Sequence, residues 1–167
     1  MPLIKHGQVV DDPWMPLADD SAVPASGPVM VSLGRLRAEH EALLARGEPL
    51  GVRLASHETA GELAEHLARL SLVALEFPTF KDGRAYSTAR LLRERYHYQG
   101  ELRAVGNVLR DQFVFMLRCG FDSFDVASEQ EAGAWKKAME EFSVWYQVAA
   151  DDRQPAARLR GVARAAR

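Results

Sequence analysis

The sequence predicts a single α/β domain: about five mostly parallel strands alternating with helices, in an open sheet or partial barrel, behind a small N-terminal β-hairpin. Three observations carry this reading. Short apolar runs at 50–54, 72–75, 101–105 and 123–126 alternate with stretches of helical periodicity. Leu72-Val73-Ala74-Leu75 is continuously apolar, as expected of a strand covered on both faces. At 167 residues the chain is long enough for one core and cramped for two.

Leu3 to Val10 mixes polar and apolar residues around Gly7, the pattern of a hairpin, which Asp11-Asp12-Pro13 ends. Residues 1–28 comprise this hairpin and an irregular linker in which Pro13, Pro16, Pro24 and Pro28 stand with Asp19, Asp20 and Ser21. The α/β domain is assigned to 29–150. Val29–Leu33 is a short strand or the lead-in to a helix reaching Arg46. That helix carries Leu36, His40, Leu43 and Leu44 on one stripe, with Gly47 at the C-cap. Leu50–Leu54 is a strand, Thr59–Leu70 a helix with Leu63, Leu67 and Leu70 inward, and Leu72–Leu75 the next strand. Tyr86–Tyr96 is helical, Glu101–Val105 a strand and Val108–Arg118 a helix that Gly120 ends. Ser123–Val126 is the last strand and Glu129–Phe142 the last long helix. Residues 151–167 form an Arg/Ala-rich tail, read as a flexible, solvated end.

Composition narrows the function. The net charge of −2 lacks the basic surplus of nucleic-acid binders. No apolar stretch approaches the roughly 20 residues that span a bilayer. Met1 to Val10 has no secretion-signal core, and Cys119 is the only cysteine, so the expected location is the cytoplasm. Cys119 ends a helix rather than starting one, which favours a buried, inert thiol. His40 and His66 stand alone on their helices, so no metal site is expected. No GxGxxG or GxxxxGK[ST] is present, and the sequence implies no cofactor.

The residues with chemical potential sit where strands end, the edge at which parallel sheets bind ligands. Glu76 closes the strand before Pro78, and Asp82-Gly83 turns the chain into a helix that starts with Arg84, Tyr86 and Ser87. A helix start beside Arg84 and Ser87 suits an oxyanion. The competing reading is a cap, with Asp82 taking the first N–H groups and Arg84 paired to Asp82 or Glu76. After the next strand, Gly106 permits close approach, Asn107 is a natural N-cap, and Arg110 and Asp111 fall in the first helical turn. Glu76 and Asp111 are the acid/base candidates; Arg84, Tyr86, Ser87, Asn107 and Arg110 are the anion or ligand candidates. The remaining arginines of this stretch, among them Arg90, Arg93, Arg95, Arg103 and Arg118, read mostly as surface solvation.

The segments EFPTFKDGRAYSTARLLRERY, GELRAVGNVLRDQ and RCGFDSFD resemble a bacterial family of unknown function encoded beside assimilatory sulfite reductase, whose members are labelled oxidoreductases of sulfite reduction. The resemblance runs from Leu3 to Tyr146-Gln147. Asn107 departs from it, standing where an Asp is expected, and His97 falls in a tolerant loop. The resemblance implies a link to sulfur assimilation; joined to the basic loop edge and the lack of a cofactor motif, it favours an accessory protein of sulfite reduction that binds the reductase, an electron donor or the oxyanion at the carboxyl edge of the sheet. Two other readings compete. One is an enzyme acting on a phosphorylated or sulfonated metabolite through Glu76 or Asp111 with Arg84 and Arg110. The other is a non-catalytic scaffold whose unpaired sheet edges support a homodimer.

Overall fold

Eight strands pair in the order β2-β1-β8-β7-β6-β5-β4-β3. They are β1 (Leu3–Lys5), β2 (Gln8–Val10), β3 (Met15–Pro16), β4 (Val29–Ser32), β5 (Leu50–Leu54), β6 (Leu72–Phe77), β7 (Glu101–Gly106) and β8 (Ser123–Asp125). The computed structural model describes residues 2–128, 133, 135, 137, 138, 144–151 and 153–165. β3 to β8 are mutually parallel, and β1 runs antiparallel to β8 and β2. The expected domain is therefore present, with eight strands rather than five. The hairpin joins the sheet edge, and Met15–Pro16, read from sequence as linker, adds the strand at the other edge. Pro16 is tolerated because β3 pairs on one side only.

The hairpin turns on His6 and Gly7, both at positive φ (52° and 74°), the geometry of a two-residue turn matched to strand twist. From β4 to β8 each parallel strand lies beside its predecessor. Right-handed crossovers taken always in one direction put every connecting helix on the same face. Helices α1 (Leu33–Ala45), α2 (Arg84–Arg90) and α3 (Phe113–Arg118) cover that face. There Leu36, Leu43, Ala89, Leu92, Phe113 and Met116 pack on Val31, Val52, Val73, Leu75 and Phe124. α1 starts where the Ser32 hydroxyl accepts from Arg35 N and ends before Gly47 at φ 68°.

Several helices differ from the periodicity reading. Thr59–Leu70 is two short 3₁₀ turns, Ala60–Leu63 and Leu67–Arg69, the first held by a Thr59–Glu62 capping box. Leu63, Leu67 and Leu70 still point inward, since their spacing suits either helix type. α2 runs on into a π turn at Leu91–Arg95. The expected Val108–Arg118 helix is a 3₁₀ turn, Arg110–Gln112, leading into α3. Asn107 is not its N-cap; Leu109 holds that position and gives no side-chain bond. The expected helix at 129–142 falls largely outside the described residues; within it Gly133, Trp135, Lys137 and Ala138 are helical and Trp135 is buried. In the Arg/Ala-rich segment, Ala156–Ala165 forms a helix, α4. Its Ala, Arg and Leu content explains the local preference.

The face without helices becomes an interior. β2 and β3 lie at opposite sheet edges, yet only residues 11–14 separate them. Five Cα steps reach at most about 18 Å. Seven strand spacings in a flat sheet would need about 34 Å. The sheet must curl into an open barrel, with 11–14 strapping its gap. Trp14 on this strap seats against Gly51, where an added Cβ would lie 3.0 Å from Trp14 Cζ3. With Met30, Leu72, Ala74 and Val105 it forms a second apolar cluster. Residues 18–28 then wrap α1. Arg35 donates to Ala18 O (2.5 Å) and Ser21 O (2.6 Å), and Arg46 to Pro24 O (3.0 Å) and Gly27 O (2.7 Å).

Candidate functional site

The carboxyl ends of β5, β6 and β7 form the edge at which the candidate residues gather. Phe77 pairs with Gly106, and Asn107 N donates to Phe77 O (2.7 Å), so the loops after β6 and β7 start side by side. Gly106 sits at φ 91°, and a Cβ there would lie 2.6 Å from Phe77 O, so this contact requires glycine.

Beyond that junction the candidates divide. Glu76 faces the barrel interior and pairs with Arg53 at 2.9 Å. Arg84 is exposed on the helix side. Its guanidinium grips Asp82 (2.9 and 2.6 Å) and the Ser56 hydroxyl (2.9 Å), clipping the loop after β5 to the loop after β6. Asp82 Oδ1 also accepts from Arg84 N (3.2 Å). The Arg84 bond holds the Asp82 carboxyl well below the usual carboxylate range. Tyr86 stacks edge-on between Phe77 (5.0 Å between centroids) and Phe115 (4.8 Å). Burial, then the charges of Cys119 and Asp111, push its phenol up to about 12. Ser87, Asn107, Arg110 and Asp111 are exposed. The edge thus brings Glu76, Arg84 and Asn107 to one end of the sheet but commits Glu76 and Arg84 to separate partners.

Sequence reasoning missed the most constrained charges. One row across the interior is set by register: Ser32, Arg53, Ala74, Arg103, Ser123 and Lys5. Arg103 is 1% exposed. Its fork receives Asp12 of the strap in bidentate fashion (2.7 and 3.1 Å), and Glu101 accepts from Nε (3.1 Å) and Nη2 (2.9 Å). Burial, the largest single effect on Glu101, would raise its pKa. Hydrogen bonds from Lys5 (2.7 Å), the Ser123 hydroxyl (2.6 Å) and Arg103 overcome it and leave the pKa lowered. Asp125 stands at the rim, 4.0 Å from Arg103, with its buried Oδ1 making no hydrogen bond. Burial pushes its pKa up in spite of Arg103. One signal was legible: Arg53 interrupts an otherwise apolar strand, and Arg103 stands between the apolar residues Leu102 and Ala104 two positions after Glu101, where a solvated charge is out of place.

Arg93 and Arg118 are internal ties as well. Arg93 donates to Tyr98 O (2.5 Å), Gly100 O (2.9 Å), Gly120 O (3.0 Å) and Asp122 (2.5 Å). Arg118 pairs with Asp151 (2.7 Å) and donates to Gln147 O. Beside α3 lies an open groove of about 500 Å³ lined by Val114, Phe115, Tyr146 and Val148, with Arg90, Asp111 and Arg118 at its margin. Phe115, Tyr146 and Val148 are 57%, 88% and 69% exposed. Trp145 is held between the guanidiniums of Arg118 (4.9 Å) and Arg153 (5.1 Å). Cys119 lies beneath the groove, and burial pushes its thiol up to about 11. The His40 and His66 rings, apart in sequence, meet at 5.7 Å. No group of three His, Cys, Asp or Glu able to hold a metal occurs among the described residues. No described helix is long and apolar enough to cross a membrane.

Fold and site together define a small α/β protein: a curled parallel sheet with a charge-balanced interior and an exposed aromatic surface. Residues 51–157, from β5 into α4, match the family described as "Bacterial protein of unknown function (DUF934)", and the chain belongs to that family. No curated protein matches it.

Proposed function

We propose that this protein is a cytoplasmic accessory factor of assimilatory sulfite reduction that works by docking onto the reductase or its electron donor. The resemblance of its central block supports the pathway. The observation that supports docking over turnover is the exposed aromatic groove beside α3. Phe115, Tyr146 and Val148 leave apolar area in water, of the kind that marks interaction surfaces on soluble proteins. Oxyanion capture at the carboxyl edge has less support, because the Arg84 fork is already filled by Asp82 and Ser56.

The test is copurification of tagged protein with sulfite reductase from sulfate-grown cells, joined to a growth comparison on sulfate and on cysteine after deletion. Recovery of the reductase and a sulfate-specific growth defect are expected. Normal growth on sulfate with no recovered reductase or donor would remove the reading.

A further inference from the structure

The charge of this chain is divided very unevenly along its length. The whole carries 21 Lys and Arg against 23 Asp and Glu. Residues 153–167 hold five of those arginines and no acid, leaving 16 basic and 23 acidic residues, net −7, in 1–152. Within it, Ala156–Ala165 forms the helix α4, which carries Arg158, Arg160 and Arg164. Its start is fixed to the aromatic groove: Trp145 bridges Pro155, Ala156 N donates to Trp145 O (2.6 Å), and Trp145 stacks on Arg153. Arg158, Leu159 and Arg160 are exposed on α4. Arg160 and Arg164 have i,i+4 spacing, a like-charge relation that weakens an isolated helix, and α4 holds no acid to relieve it.

We infer that α4 and the groove beside it form one docking surface whose occupant is an acidic face of a protein, carrying an apolar side chain that enters the groove between Phe115 and Tyr146. Charge complementarity selects the occupant. An isolated +5 block invites an anionic partner and accelerates its approach. Aromatic residues with arginine are the composition of protein interfaces. The apolar groove beside α4 favours a protein, whose side chains can fill it, over a phosphate backbone, which has none to offer. The inference rests on the partner-binding reading above and names the face that does the binding.

The test uses the full chain and four immobilised probes: the sulfite reductase haemoprotein, its electron-donor protein, phosphatidylserine vesicles and a short DNA duplex. Wild type is expected to bind the reductase or the donor best, with an association rate that falls steeply as salt rises. R158E/R160E should lower affinity about tenfold, mainly through that rate. F115A/Y146A should lower it about tenfold through faster dissociation. R158Q/R160Q, which removes charge without reversing it, should fall between wild type and R158E/R160E, and far-UV circular dichroism checks that each variant is folded. Binding to that protein unchanged in R158E/R160E overturns the assignment of α4 and leaves partner binding standing. Absence of wild-type binding to the reductase and to its electron donor overturns both. Tighter binding to vesicles or duplex overturns the choice of a protein occupant.

Discussion

Replacing Asp12 with alanine removes the carboxylate that links the N-terminal strap to the barrel interior. Arg103, 1% exposed, would keep Glu101 but lose two of its four hydrogen bonds to carboxylates. Removing one partner of a buried pair costs about 3–5 kcal/mol, because the remaining charge is left without compensation. Two features lower that figure here: Glu101 still faces the guanidinium, and the Asp12 side chain is 30% exposed, so water can enter. About 3 kcal/mol is expected for D12A, which for a chain of this size is a fall of about 6–12 °C in Tm. Urea denaturation should show a lower midpoint at unchanged slope. Protease sites within residues 11–28 should open before those of the sheet, since Asp12 anchors the strap. A double-mutant cycle with R103M isolates the pair and should return a coupling above about 1.5 kcal/mol. A D12A loss under about 1 kcal/mol, or a coupling near zero, would refute the view that this ion pair holds the strap.

Three further outcomes follow from the same geometry. G106A should cost about 3 kcal/mol, since it combines positive φ with a 2.6 Å clash against Phe77 O, whereas G47A, at φ 68° in open space, should cost about 1 kcal/mol; equal losses by denaturant titration would contradict the clash. The raised pKa of Asp125 favours the folded state only where the carboxyl is protonated, and that contribution is lost as pH rises through the folded pKa. D125N should therefore be more stable than wild type at neutral pH, with the advantage vanishing in acid below the ordinary carboxyl range; lower stability at neutral pH would reverse the assignment. Cys119, its thiol pushed up to about 11, should react with a disulfide reagent in mildly alkaline buffer only after unfolding, and rapid reaction of native protein would show that it is not buried.

Much of the fold was legible because strands and helices are local patterns. The run Leu72–Leu75, the stripe Leu36, Leu43 and the glycine at 47 each carry their own structural requirement, and the corresponding elements are present. Helix type was less legible, since Leu63, Leu67 and Leu70 bury equally well on 3₁₀ turns. At the site, Glu76, Arg84 and Asn107 lie at one end of the sheet because β6 and β7 are neighbours that end together. The sequence could not tell that Arg84 would spend its fork on Asp82 and Ser56, because Ser56 lies 28 residues away.

By itself, then, the sequence determined the α/β class, the parallel core, the hairpin and the basic C-terminal block, all of which rest on periodicity, turn chemistry and charge along the chain. Tertiary structure alone decided the rest. A four-residue strap joining opposite sheet edges forces the curl and turns the helix-free face into an interior. That enclosure converts Arg103 from a residue that reads as solvated into a buried guanidinium paired with Asp12, 91 residues away. Pairings across such separations depend on strand register and chain closure, which no local pattern of residues encodes.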